Sequence, residues 1–395
     1  MAGTQKAGVI TPVVNPQTPL VNQIYPIVNS VFRQMTGRDD IQAVDTNSLV
    51  AMGAEIGNLG KRDIWLNTLA RRIAGTIDSW KVYRNKMADL YRNNIEWGAA
   101  MQKITAEMPE AVSDPTFDIG HMDGKSVDHY IIANPRVHQR IFEKNTPYAF
   151  FITMSTKLLK DAFHGEEAMQ SFINQIFGKV RNKIEFTLEE LGRMGVSNFI
   201  LNLKPKQEFH LVTIYNGLAN KSITTASSRF DADFLRWVTG FIANVSSKME
   251  NMSVLYNSDN FDRFTDVSDQ RLYMLADFMT QIRTVVSYSA FNSADVRIKP
   301  NNLMPYWQAS GTTVNMGSWE AMTSIKGTIC DGTERSVTNL IGLLFDREAI
   351  GTFRQEDEVL TTPVNARARY YNTFWHESQL WFNDMSENGV AFYLD

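Results

Sequence analysis

The 395-residue chain is poor in the residues from which reactive centres are built: one cysteine, Cys330, and six histidines. A single thiol closes no internal disulfide, so the fold has to be held by burial, as in proteins of a reducing compartment. No uninterrupted apolar run approaches the roughly 18 residues a membrane-spanning helix requires. Charge of either sign is not in marked excess: 39 Lys and Arg against 43 Asp and Glu leave a net charge of −4. That balance argues against strong nonspecific binding to nucleic acid. Met1–Pro19 carries one charge, Lys6, and no apolar core, so it does not read as a secretory signal.

Catalytic motifs are equally scarce. His121, His129, His138, His164, His210 and His376 are scattered, with no pair at zinc-helix spacing. His376 and Glu377 are neighbours in an apparent strand, where adjacent side chains face opposite ways and share no metal. Gly120–Ser126 resembles a phosphate loop at first sight. Only three residues separate its glycines, however, where four are needed to wrap phosphates, so a turn is the better reading. Asp231-Ala232-Asp233 stands where a helix N-terminus favours carboxylates, and capping explains it better than Mg²⁺ binding. Cys330 precedes the turn pair Asp331-Gly332 with no histidine beside it, and reads as an idle thiol. Neither GxSxG nor GxGxxG occurs. No catalytic, cofactor or metal residue is assigned, and the expectation is a protein that is not an enzyme.

What is present is a substantial apolar fraction, 44%, with 11% aromatics, enough for a core in two or three lobes. Residues 1–18 read as an extended arm that orders against a partner. Helical spacing follows over Pro19–Met35, Asn47–Ile56 and Asp63–Ile77. From Asp78 to Met108 the period fails and aromatic and basic residues interleave. The reading is an extended two-stranded flap whose distal part, Tyr83–Arg92, lies on another subunit; an ordinary surface hairpin or basic helix is the alternative. Tyr83, Arg84, Lys86, Tyr91, Arg92 and Trp97 are its candidate inter-subunit contacts. These types also bind single-stranded nucleic acid, but Asp78, Asp89 and Glu96 break the positive charge. Arg, Tyr and Trp are equally the usual anchors of protein interfaces.

Strand-like pieces around His129–Ile132 and Ala149–Ile152 come next. Apolar positions from Met169 to Leu191 then predict one helix over Glu166–Met194, roughly 40 Å long at 1.5 Å per residue, with Gly192 and Gly195 at its end. A second lobe over residues 205–330 has predicted helices at Phe230–Asn251, Asp269–Arg283 and Trp319–Met322. Its predicted strands are Leu211–Tyr215, Thr284–Tyr288 and Asp295–Ile298. Leu340–Phe345 reads as a buried strand. Tyr370–Phe382 and Val390–Leu394 read as a strand pair around a turn at Ser386–Gly389.

Three blocks carry a resemblance to the Hong Kong 97-type major capsid proteins of tailed phages. RNNIEWGAAMQKITAEM (Arg92–Met108) resembles the returning limb of the extended loop in podophage capsid proteins of the phi29 kind. Thr146–Phe199 resembles a strand, a short helix ending near Phe163 and then a spine helix. Asn339–Asp395, with NLIGLLFDREAIGTF and the aromatic strands, resembles the carboxyl-terminal segment.

The resemblance implies an α+β fold with an N-terminal arm and helices (1–74) and an extended loop (75–115). A peripheral domain with the spine helix (116–202) and an axial domain with connecting segments (203–361) would follow, with C-terminal strands returning to the peripheral domain (362–395). It implies a head protein forming pentamers and hexamers of an icosahedral shell around phage double-stranded DNA, which it contacts without sequence specificity. A separate scaffolding protein and a portal are implied partners, a membrane is not, and the implied location is the virion after assembly in the host cytoplasm. Lys86 is a candidate for covalent cross-linking by location alone, and is not expected to form one. An encapsulin-like nanocompartment shell, or a tail or connector protein, is the alternative.

Overall fold

The computed structural model describes residues 21–76, 83–92, 100–109, 123–126, 136–143, 145–289, 300–308 and 318–395, with isolated positions 111, 130, 132 and 134. The expected arm, Trp97, the strand Asp295–Ile298, most of the strand near His129 and the glycine Gly120 lie outside the described residues.

Two compact units divide the chain. The first takes its described residues from Met1–Arg84, Tyr148–Phe186 and Asp357–Glu377. Helix α1 (Val21–Thr36) buries Val28, Val31 and Phe32 at helical spacing. Helix α2 (Thr46–Asn58) starts at Asp45, whose carboxylate accepts from the Ser48 backbone N–H at 2.8 Å. That supplies one of the donors a helix start leaves unpaired. Helix α3 (Arg62–Thr76) buries Trp65, Leu66 and Leu69, while Ile64 is exposed. Trp65 lies 4.9 Å from the Phe163 ring. Gly53 of α2 touches that ring so closely that a Cβ would stand 2.6 Å from it.

The spine is longer than its pattern predicts. Helix α5 (Glu166–Phe172) passes through a π-helical turn (Ile173–Gly178) into α6 (Lys179–Leu201). Together they span roughly 50 Å at the α-helical rise. A short helix, α4 (Thr156–Ala162), precedes them, capped by Ser155. In this unit Phe177 meets Trp375 edge-on at 5.9 Å. Trp375 belongs to a three-stranded sheet of order β10–β11–β3, formed by β3 (Asn145–Ser155), β10 (Ile350–Thr361) and β11 (Tyr370–Asn383).

The second unit takes its described residues from Asn85–Pro147, Thr187–Glu356 and Ser378–Asp395. Its centre is a five-stranded mixed sheet of order β4–β12–β9–β5–β6. The strands are β4 (Glu208–His210), β5 (Gln270–Leu275), β6 (Asn302–Met304), β9 (Leu340–Asp346) and β12 (Gly389–Tyr393). β9 and β12 are buried at every residue. They pair antiparallel, while β12 runs parallel to β4 and β5 parallel to β6. A continuous apolar run without alternation is what burial on both faces demands.

Helix α9 (Ala232–Met249) packs Phe234, Leu235, Val238, Ile242, Val245 and Met249 into this core. Helices α7 (Leu211–Ala219), α8 (Thr225–Ser228), α10 (Ala276–Ser289) and α11 (Trp319–Thr323) complete it. Two antiparallel pairs lie outside the sheet: β7 (Ile325–Thr328) with β8 (Glu334–Val337), and β1 (Met101–Ala106) with β2 (Val137–Phe142).

Several expectations are corrected. Leu211–Tyr215 is helix, although its β-branched residues favour strand, because Leu211, Val212 and Tyr215 occupy one buried helical face. Asp269–Arg283 divides into strand β5 and the start of α10, and Thr284–Tyr288 continues that helix. Gly192 and Gly195 do not end the spine. A Cβ on Gly192 would meet the Met87 side chain at 2.9 Å, and one on Gly195 the Trp381 ring at 3.3 Å, so they permit close packing. Finally, β11 and β12 are not a pair: each belongs to a different sheet.

Candidate assembly surfaces

The β1–β2 hairpin is the most distinctive surface element among the described residues. Its register sets Met101, Lys103 and Thr105 opposite Phe142, Arg140 and His138. These side chains turn toward the subunit: Phe142 lies 5.6 Å from Phe382, and His138 4.9 Å from Phe261. On the alternate positions Gln102, Ile104 and Ala106 face Ile141, Gln139 and Val137. Ile104, Val137 and Ile141 are 63%, 59% and 52% exposed, an apolar stripe on one side of a two-stranded ribbon that is open to solvent among the described residues.

The root of the hairpin is charged. Lys103 Nζ stands 2.8 Å from Asp384 Oδ2, in ion contact rather than an aligned hydrogen bond, and 2.5 Å from Glu387 Oε1. Arg140 donates to Asp384 Oδ1 at 3.1 Å and pairs with Asp259. Arg263 donates to Thr105 Oγ1 at 2.9 Å and stands 3.5 Å from Glu387. Burial opposes ionisation of Asp384, but the Lys103 ammonium outweighs it and holds the carboxyl below its usual value. Burial likewise opposes the Lys103 charge, and Asp384 and Glu387 more than offset it, raising the ammonium's pKa.

The segment Tyr83–Arg92 is not the distal part of a two-stranded flap. Its Lys86–Arg92 stretch folds onto the subunit's own second unit, because Met87 and Leu90 are apolar side chains buried in that core around the short 3-10 turn Ala88–Leu90. The Lys86 backbone N–H donates to Glu189 at 3.2 Å. Asn302 donates to the Lys86 carbonyl at 2.7 Å. Tyr273 donates to Asp89 at 2.5 Å, in a setting where burial raises the pKa of both groups.

The candidate contacts therefore separate. In the first unit, Tyr83 donates its backbone N–H to Asn182 at 2.9 Å and stacks edge-on against Phe186. Tyr91 bridges to Thr352, and its ring lies 6.1 Å from Trp381. Arg92 is half-buried, donates its backbone N–H to Thr352 and its guanidinium to the Arg347 carbonyl. It lines an open cleft of about 380 Å³ together with Arg263, Arg347 and Asp346. Of the described candidate contacts, Arg84 and Lys86 are exposed. Strands β1 and β2, which carry the solvent-facing stripe, lie later in sequence. Once paired, MQKITA alternates between half-buried and exposed residues, but its partner VHQRIF stands about thirty residues downstream, too far for a hairpin pattern in the sequence.

Elsewhere, Asp231 caps α9, accepting from the Phe234 N–H at 2.8 Å. Cys330 is an exposed free thiol, and Gly332 beside it has a left-handed φ of +87°. Among the described residues, no group of three or more His, Cys, Asp or Glu is arranged to hold a metal, and no helix is long and apolar enough to cross a membrane.

A mixed sheet, a long spine helix and a separate two-stranded hairpin define the Hong Kong 97-type shell-subunit fold. A chain in the structure of the head fiber and inner core protein gp22 of bacteriophage P68 shares this fold, with a TM-score of 0.53 and 11% identity over 81% of this chain and 87% of that one. A chain from the capsid of Staphylococcus phage Andhra aligns at a TM-score of 0.49 and 10% identity, over 80% and 87%. No curated protein is significantly similar in sequence. The model of the Phi29-like phage major capsid protein family matches residues 27–393, and the chain belongs to that family. It is a major capsid protein, a virion component that assembles with copies of itself into a shell.

Proposed function

We propose that the β1–β2 hairpin is the element by which one subunit grips the next in an icosahedral shell of pentamers and hexamers. The observation that carries this is the solvent-facing stripe of Ile104, Val137 and Ile141, an apolar ribbon face that is exposed among the described residues. Repeated symmetric contacts of this kind close a shell without any single one being strong.

The second unit, centred on the five-stranded sheet, corresponds on this reading to the axial domain of about residues 203–361, and the spine belongs to the peripheral domain of about 116–202. The role is structural rather than catalytic. The enclosed cargo is phage double-stranded DNA, held without sequence specificity. Assembly takes place in the host cytoplasm with a separate scaffolding protein and a portal.

The test is electron microscopy of the protein expressed with its neighbouring genes, alongside the variant Ile104→Lys/Ile141→Lys. Closed shells from the parent and folded, unassembled subunits from the variant are expected. Intact shells from the variant would remove the hairpin from the contact.

A further inference from the structure

The register of the hairpin places two cations directly opposite one another, Lys103 on β1 and Arg140 on β2. Like charges at directly opposed positions push a two-stranded ribbon apart. Both side chains converge on one carboxylate: Asp384 Oδ2 lies 2.8 Å from Lys103 Nζ, and Asp384 Oδ1 accepts from Arg140 at 3.1 Å. We propose that Asp384 is a positioning residue that staples the two strands and fixes the hairpin's direction for assembly.

The carboxylate is itself immobile. Its side chain has no exposed surface. Oδ1 also accepts from the Ser386 backbone N–H at 2.9 Å and from its hydroxyl at 2.7 Å. The Asp384 backbone N–H donates to the Ala349 carbonyl at 2.7 Å, which ties the turn to the start of β10. A charge fixed in this way holds the ribbon at a set angle, whereas apolar contacts alone would let it slide. Glu387 and Glu348 also face Lys103, and Asp259 pairs with Arg140. Removing Asp384 therefore leaves two opposed cations with outer partners only, and the strands separate at the root. Removing Lys103 as well abolishes the repulsion, so the pair of changes is milder than the first alone.

That the hairpin grips a neighbour rests on the function proposed above; that Asp384 staples it does not. Hydrogen exchange on the unassembled full-length subunit tests the staple. In Asp384→Asn, amides of 101–106 and 137–142 are expected to exchange on the order of 100-fold faster, while β9 and β12 keep their protection. Adding Lys103→Met should recover part of that loss. Arg140→Gln, at a half-exposed position, provides a milder second variant should Asp384→Asn fold poorly, and should loosen the same amides by a smaller factor.

Unchanged hairpin exchange would overturn the staple. So would equal loss across β9 and β12, or no recovery in the double variant. If the hairpin loosens as expected and electron microscopy still shows normal shells, the staple stands and the gripping role of the hairpin falls.

Discussion

The β9–β12 core and the β1–β2 hairpin belong to the same unit and are held by opposite means. In the core, every residue of both strands is buried, Phe345 packs against Phe199 and Tyr273, and Phe392 stacks on Phe209. At the hairpin root, Lys103, Arg140 and Arg263 meet Asp384, Glu387 and Asp259, and the outer face is left to solvent. Apolar burial is strong and non-directional; ion pairs add less net stability but fix geometry. The part of the subunit that has to be stable uses the first, and the part that has to point correctly uses the second.

The largest expected effect lies in the core. Phe345→Ala should cost about 3–5 kcal/mol in denaturant unfolding, as for other large-to-small core changes. A loss below about 1 kcal/mol would break the comparison, because the core would then not be held by packing. Gly389→Ala should cost about 1–3 kcal/mol through overpacking, since the new Cβ would stand 2.6 Å from the Phe199 ring.

Acid should separate the two regions. The folded pKa of Asp384 is depressed below 3.8, so its contribution is complete above that value and is lost as pH falls through the lower folded value. Hairpin amides should therefore lose protection in strong acid while β9 and β12 remain protected; simultaneous loss would mean the root is not electrostatic. Asp346 works in the opposite sense. Burial raises its pKa, so its ionisation costs stability as pH climbs past the ordinary carboxyl value. The smallest effect on the isolated subunit belongs to Ile104→Lys/Ile141→Lys, which should shift unfolding by no more than about 0.5 kcal/mol because both side chains are already in water. A larger shift would show that the stripe packs within its own chain.

The sequence revealed most where one physical signal dominated. Six apolar residues at helical spacing after a capping Asp231 located α9, and an unbroken apolar run between Asn339 and Asp346 located β9. It misled where tertiary context overrode local preference. The β-branched stretch at Leu211 became a helix because its buried face has the helical period, and QRLYML became a strand because β9 and β6 lie on either side of it. Gly192 and Gly195 looked like terminators, and nothing local shows that Met87 and Trp381 press against them.

The same limit applies to the candidate assembly surface. The aromatic-basic composition of Tyr83–Arg92 attracted notice, yet Met87 and Leu90 inside it are core residues. The stripe on β1 and β2 depends on a pairing between distant segments. The Lys103–Arg140 opposition exists only once that register is set.

The position of β12 has a consequence for how the subunit is made. It is the latest strand in chain order, yet it lies inside the five-stranded sheet, between β4 and β9. During synthesis β4, β5, β6 and β9 emerge first and must wait with a gap between β4 and β9. The sheet closes only when residues 389–393 have cleared the ribosome. Because the stapling turn at Asp384 directly precedes this strand, the hairpin acquires its direction at nearly the same moment. A chain that lacks Gly389–Tyr393 therefore has an unfilled gap inside its central sheet, between β4 and β9.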